Sequence, residues 1–335
     1  MRAPAMHNRP ARPLLNRLCM ICLSGALLTG IVPAIATTAP ADTREATTPT
    51  LEGTQRALVD AALAKLAPQR PSVTDMYVLG VAGDSDEDVF RNEVTYLQQL
   101  SAQRWDSAGR MISLINHPQT RTGDGAMPQA TYESLGYALE ALGKILDPEE
   151  DVLFLYLSSH GLADNSFYLH TGRNEEHYLA PSDLAQLLAE AKIGNAVIVV
   201  SACYSGGFIP ALQAPNRMII SAARKDRPSF GCGNTDSATW FGRAFLVEAM
   251  NATNDFTAAY SQTKMTVRRR EKEEGERPSE PQFQAGPAIT AVLTKWRDGL
   301  PVTAAVPYPF VHQPRPTIPI RKDKAALEAN NRKGP

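Results

Sequence analysis

The chain has 335 residues, with 34 basic and 35 acidic side chains, a net charge of −1, 43% hydrophobic and 21% charged residues. That length and balance fit a soluble globular chain with ample core material, as one large domain or two modest ones. The near-neutral charge, with no basic stripe interleaved with aromatics, leaves no case for nucleic acid as a partner.

Taken in chain order, Arg2, Arg9, Arg12 and Arg17 precede an uncharged apolar stretch from Leu18 to Ala36. It ends in Ala34-Ile35-Ala36, the small-x-small pattern of a signal-peptidase site. Residues 1–36 are therefore expected to be a signal peptide and the body exported, periplasmic or secreted. The alternative is an uncleaved anchor over residues 18–36, the one case in which a membrane is a partner. Cys19 and Cys22 lie in that segment, so the exported body keeps only Cys203 and Cys232. Two cysteines exclude the dense disulfide framework of small secreted domains, although the two could pair with each other.

Residues 37–71 read as a Thr/Ala/Pro-rich spacer followed by a short helix over 51–66 that stops before Pro68 and Pro71. A domain over residues 72–300 follows. Residues 76–82 form a strand opening into the acidic loop 83–88, where Asp86 is expected to cap a helix over 87–103. A strand over 110–116 and a helix over 131–146 come next. The unbroken apolar run 152–157 leads into Ser158-Ser159-His160-Gly161. Then come an edge piece at 168–170 and a helix over 182–192 capped by Ser182. The apolar run 196–200 leads into Ser201-Ala202-Cys203-Tyr204-Ser205-Gly206-Gly207. A strand at 218–222, helices over 239–250 and 256–270, and a short apolar segment at 289–296 complete the domain. Residues 301–335 are expected to be a disordered Pro-rich tail.

Unalternated β-branched runs separated by helices of ten to fifteen residues predict an α/β/α sandwich on a mostly parallel sheet of about six strands. In such sheets functional groups gather at the carboxyl ends of strands. A His at one end and a Cys at another then meet as proton acceptor and thiol nucleophile. The small residues after Cys203 allow a helix start that favours negative charge on sulfur. The Gly161 and Cys203 N–H groups are candidates for an oxyanion hole, where one donor is worth about 3 kcal/mol in the transition state.

These motifs resemble the legumain family of cysteine peptidases, whose wider clan includes the caspases. The resemblance runs from about Thr74 to Met250. It takes in Val81-Ala82-Gly83, Phe90-Arg91-Asn92, Ser221-Ala222-Ala223 and Trp240-Phe241-Gly242 as well as the His and Cys motifs. It implies a caspase-like fold with Cys203 as nucleophile, His160 as general base and acid, and Gly161 and Cys203 as oxyanion donors. For the pocket that takes the residue before the scissile bond, it points to Arg91, Ser201 and Asp236. It implies a peptide or protein substrate and neither metal nor organic cofactor. Legumains carry an acid where this chain has Ser201, commonly an acid where it has Ser159, and an asparagine at about Val89. They also carry a long helical prodomain, for which the tail here is too short. Asparagine specificity is thus not implied.

Other readings have less behind them. No Gly-x-Ser-x-Gly elbow occurs to support a serine hydrolase. His170 and His177, with Glu175 and Glu176, lack companion cysteines at zinc spacing. A transpeptidase or ligase of the same fold, and an inactive peptide-binding relative, remain as alternatives to an endopeptidase.

Overall fold

The computed structural model describes residues 53–172, 176–233 and 235–311. The expected signal peptide, the spacer, Cys19, Cys22, Glu175 and the tail beyond residue 311 lie outside the described residues.

The elements are α1 (Gly53–Leu63), β1 (Met76–Ala82), α2 (Asp88–Arg104), β2 (Met111–Ile115), α3 (Tyr132–Ile145) and β3 (Val152–Ser158). They continue with β4 (Phe167–His170), β5 (Glu176–Leu179), α4 (Pro181–Glu190), β6 (Asn195–Ser201), α5 (Phe208–Leu212) and β7 (Arg217–Ser221). A short α6 (Trp240–Gly242) widens into a π-helical stretch, Arg243–Ala249, before α7 (Met250–Ala252). The last elements are α8 (Phe256–Glu274), β8 (Gln282–Ala285) and α9 (Pro287–Asp298).

Six strands form one sheet in the order β2-β1-β3-β6-β7-β8, parallel except for β8. Every residue of β1, β3 and β6 is buried, which is why their sequences show no polar alternation. Side chains still alternate between faces. Val78, Phe154, Tyr156, Val197 and Val199 pack with α2, the π-helical stretch, α8 and α9. Leu79, Leu155, Leu157, Ile198 and Val200 pack with α1, α3, α4 and α5. Each such apolar side chain contributes roughly 1.5–3 kcal/mol by burial, against about 0–1 kcal/mol for an exposed ion pair. Burial on both faces therefore holds the sheet. The sandwich is the one the sequence predicts, and among the described residues no helix is long and apolar enough to cross a membrane.

Three expectations need correction. The N-cap of α2 is Glu87 rather than Asp86, whose own N–H instead turns back to Asp84 Oδ1 at 3.0 Å. The N-cap of α4 is Ala180 rather than Ser182: Pro181 occupies the first turn, and the Asp183 carboxylate accepts the Ala180 N–H at 3.2 Å. The proposed tail boundary at 301 is too early. Residues 301–311 lie along α2: Val306 is buried, its carbonyl accepts from Tyr96 Oη and Asn251 Nδ2, and Arg104 donates to Thr303 and Ala304. Prolines removed regular structure from this segment, but side chains on α2 and α7 satisfy its carbonyls.

Tyr308 anchors the segment. Its ring meets Tyr96 edge-on at 5.0 Å, Arg243 lies over it at 5.1 Å, and its hydroxyl donates to the Ser237 carbonyl. Tyr308→Ala is expected to cost about 3–5 kcal/mol, read as a lowered midpoint in urea unfolding. A midpoint unchanged from the parent protein would show the segment to be merely laid on the surface.

Candidate active site

Strand register brings the two motifs together. Ser158 at the end of β3 pairs with Ser201 at the end of β6, and the Ser159 N–H reaches the Ser201 carbonyl at 3.3 Å. Two residues beyond that matched pair stand His160 and Cys203. Beyond it, Gly161 lies against the Cys203 peptide: a Cβ there would fall 1.9 Å from the Cys203 carbonyl oxygen. Only glycine permits that approach. Among the described residues, neither the Gly161 nor the Cys203 N–H is given to a protein acceptor, so both donors remain available.

The imidazole of His160 is held from two sides. Phe90 on α2 meets it edge-on at 5.1 Å, and Asp84 Oδ2 lies 3.4 Å from its Nε2. Backbone bonds pin the loop beneath, from Tyr168 N–H to the His160 carbonyl and from the Ser159 hydroxyl to the Tyr168 carbonyl. Burial holds the His160 pKa below the ordinary imidazole value, partly opposed by the Asp84 charge. The side chain nevertheless keeps 36% exposure, enough for a substrate to reach it.

Cys203 is half-buried and a free thiol, as is Cys232. The Ser229 N–H donates to Cys203 Sγ at 3.2 Å, and the thiol faces the Ser229 carbonyl at 3.5 Å. One backbone donor is thus aimed directly at the sulfur. The expected helix after Cys203 is present but short: a 3₁₀ turn, Ser205–Gly207, then the five residues of α5. Its dipole is correspondingly slight. Tyr204 adopts φ 57°, a left-handed conformation rare for a residue with a side chain, at the sharp turn that presents Cys203. Ser205 is fully buried and accepts the Ala223 N–H, which removes it as a nucleophile. The Cys232 thiol is pushed up to about 11 by burial and by the nearby Cys203 charge.

The three pocket candidates are placed differently. Arg91 is anchored, with Nη1 donating to His117 Nδ1 and Gln119 Oε1, and Nη2 to Asn92 Oδ1, beside Asp88. His117 in turn donates from Nε2 to Asp88 at 2.8 Å, and burial and Arg91 hold its pKa below the usual value. Ser201 is buried, its hydroxyl shared with Thr239 at 3.2 Å, so its side chain lies under the sheet edge instead of facing a substrate. Asp236 is half-buried and lines a cavity with Trp240, Arg243 and Phe310.

A family model for the peptidase C13 family matches residues 134–290, a span that contains both His160 and Cys203. Over that span the chain is similar to the peptidase C13 family. No curated protein matches it. The match supports a cysteine-peptidase type of function for this chain, with a peptide or protein as substrate. Asp84 and Arg91 lie outside the matched span, on the β1–α2 side of the cleft.

Sequence reasoning missed Asp84, Ser229 and Glu93. Asp84 sits two residues past the end of β1, a neighbour of β3, and that adjacency was the available signal. Ser229 acts through its backbone and carries no signal in its residue type. Glu93 is a buried acid on α2: Oε2 accepts from Tyr156 and Ser158, and Oε1 from the Thr239 N–H.

Proposed function

We propose that this protein is a cysteine endopeptidase in which Cys203 attacks the scissile carbonyl and His160 carries the proton. The observation that carries the reading is the close approach of Gly161 to the Cys203 peptide at the matched ends of β3 and β6.

Asp84 faces Nε2, so Nδ1 is the nitrogen left to take the thiol proton. The thiolate then forms the C–S bond, and the oxyanion is received by the Gly161 and Cys203 N–H groups. Collapse breaks the C–N bond as His160 returns its proton to the departing amine, leaving a thioester. Water, deprotonated by His160, then cleaves that thioester and frees the thiol. Asp84 positions the ring and its tautomer without contacting the substrate.

Cleavage of a mixed peptide library, with Cys203→Ala as control, tests the reading. Hydrolysed products from the parent alone support it; identical product profiles from both proteins contradict it. Joined peptides in place of hydrolysed ones would assign the thioester to transpeptidation instead.

The pH profile carries a second test. The working base is neutral His160, whose pKa lies below the usual imidazole value, so activity falls as pH drops through a point below about 6.5. Asp84 raises the His160 pKa, so Asp84→Asn should move this acid limb lower still. The same variant should lower kcat roughly 100-fold as the tautomer is lost. An acid limb unchanged in Asp84→Asn would remove Asp84 from the site.

The export pattern of residues 1–36 leads us to place the enzyme outside the cytoplasm. N-terminal sequencing of the mature protein should then begin at Thr37, and a retained Met1 would contradict this.

A further inference from the structure

We propose that Asp84, Asp86 and His170 form a binding site for a divalent transition-metal ion beside the dyad, sharing Asp84 with His160. The three side chains offer ligand atoms that all lie within 4.8 Å of one another. His170 Nδ1 stands 3.3 Å from Asp84 Oδ1 and 3.8 Å from Asp86 Oδ2. Metal bonds of about 2.1 Å place neighbouring ligand atoms roughly 3–3.5 Å apart, so a small inward movement of Asp86 completes the set.

Two further observations point to a cation. The Asp84 side chain is only 6% exposed, and among the described residues its ion-pair partners are the His160 and His170 imidazoles, with no Arg or Lys. A carboxylate buried to that degree is costly unless a positive charge meets it. The backbone is also set in advance. The His170 N–H donates to the Gly83 carbonyl at 2.7 Å and the Ser85 N–H to the His170 carbonyl at 3.1 Å, joining the acidic loop to β4 as one unit. Asp86, whose side chain is 70% exposed, leaves a path for an ion from solvent.

Two carboxylates and one imidazole suit Mn²⁺, Fe²⁺, Co²⁺ or Zn²⁺ better than the all-oxygen shells of Ca²⁺ or Mg²⁺, and leave positions for water. His177 is not part of the site. It pairs with Leu169 across the β4–β5 hairpin, so it falls on the face opposite His170. An ion bound at Asp84 Oδ1 competes for the carboxylate whose other oxygen positions His160. A filled site therefore slows turnover, a consequence that rests on the peptidase reading.

Mn²⁺ is the probe, because it favours oxygen and imidazole over thiolate and its free ion is counted by electron paramagnetic resonance. The full chain carrying Cys203→Ala is titrated, with Asp86→Asn, His170→Gln and His177→Gln added singly. One bound ion per chain is expected, with affinity lowered at least tenfold by Asp86→Asn and by His170→Gln and unchanged by His177→Gln. Absence of binding at millimolar Mn²⁺, or equal binding by all variants, overturns the site. Asp86→Asn changes an exposed side chain, so its loss of binding does not arise from misfolding. In the protein with Cys203 intact, saturating Mn²⁺ should lower kcat/KM at least threefold, and Asp86→Asn should abolish that effect. Binding without any change in kcat/KM overturns the coupling to His160. Failure of the peptidase reading would leave the titration result standing.

Discussion

Cys203→Ala is expected to lower kcat/KM for a cleaved peptide by roughly 10⁴-fold or more, and His160→Ala by a similar factor. The reason is that the two groups act as one unit. Without the thiol no thioester forms, and without the imidazole the thiol keeps its proton and the departing amine is not protonated. The double variant should accordingly be no worse than either single one, because the second change removes nothing that still works. Neither substitution touches the packed interior: Cys203 is half-buried and His160 partly exposed. Urea midpoints should therefore stay close to the parent value. Independent, multiplying losses would mean that the two residues do not cooperate in one step.

Glu93→Ala is expected to lower stability by about 3–5 kcal/mol. Glu93 is 1% exposed, and its carboxyl accepts from Tyr156 at 2.8 Å, Ser158 at 2.5 Å and the Thr239 N–H at 2.8 Å. Alanine leaves those donors buried without an acceptor and opens a void against Gly242, whose Cα abuts the carboxyl. Burial raises the Glu93 pKa, so the folded protein holds this proton more tightly than the unfolded chain. Its contribution is therefore full at acid pH and is lost as pH rises through the folded value. The gap in urea midpoint between the parent and Glu93→Ala should narrow as pH increases. The network ends at Ser158, Thr239 and Ser201, directly beneath the loops that carry His160 and Cys203, so the proposed activity should fall as well. A loss below about 1 kcal/mol would mean that water replaces the carboxyl.

The sheet was legible because β1, β3 and β6 are buried on both faces, and burial on both faces writes unbroken apolar runs into the sequence. β5 and β8 were not legible. Each has only four residues; β5 sits in a polar hairpin, and β8 is an antiparallel edge strand held between Pro281 and Gly286. Strand-end logic brought His160 and Cys203 to one edge because β3 and β6 are neighbours that end in register at Ser158 and Ser201. It left out Asp84 because the acidic run 83–88 reads as a solvated loop, whereas its backbone pairs with His170 and draws the first carboxylate inward. The extended segment 301–311 looked like a tail for a related reason. Prolines exclude helix and ladder, but they do not prevent docking through carbonyls and through Val306 and Tyr308.

The most direct measurement is the rate at which iodoacetamide modifies each cysteine at neutral pH, mapped by mass spectrometry in the parent protein and in His160→Ala. Cys232, with its thiol pushed up to about 11, should react slowly in both proteins. The account predicts that Cys203 reacts at least tenfold faster than Cys232 in the parent and loses most of that advantage in His160→Ala. Slow, equal modification of both cysteines, indifferent to His160, would contradict it.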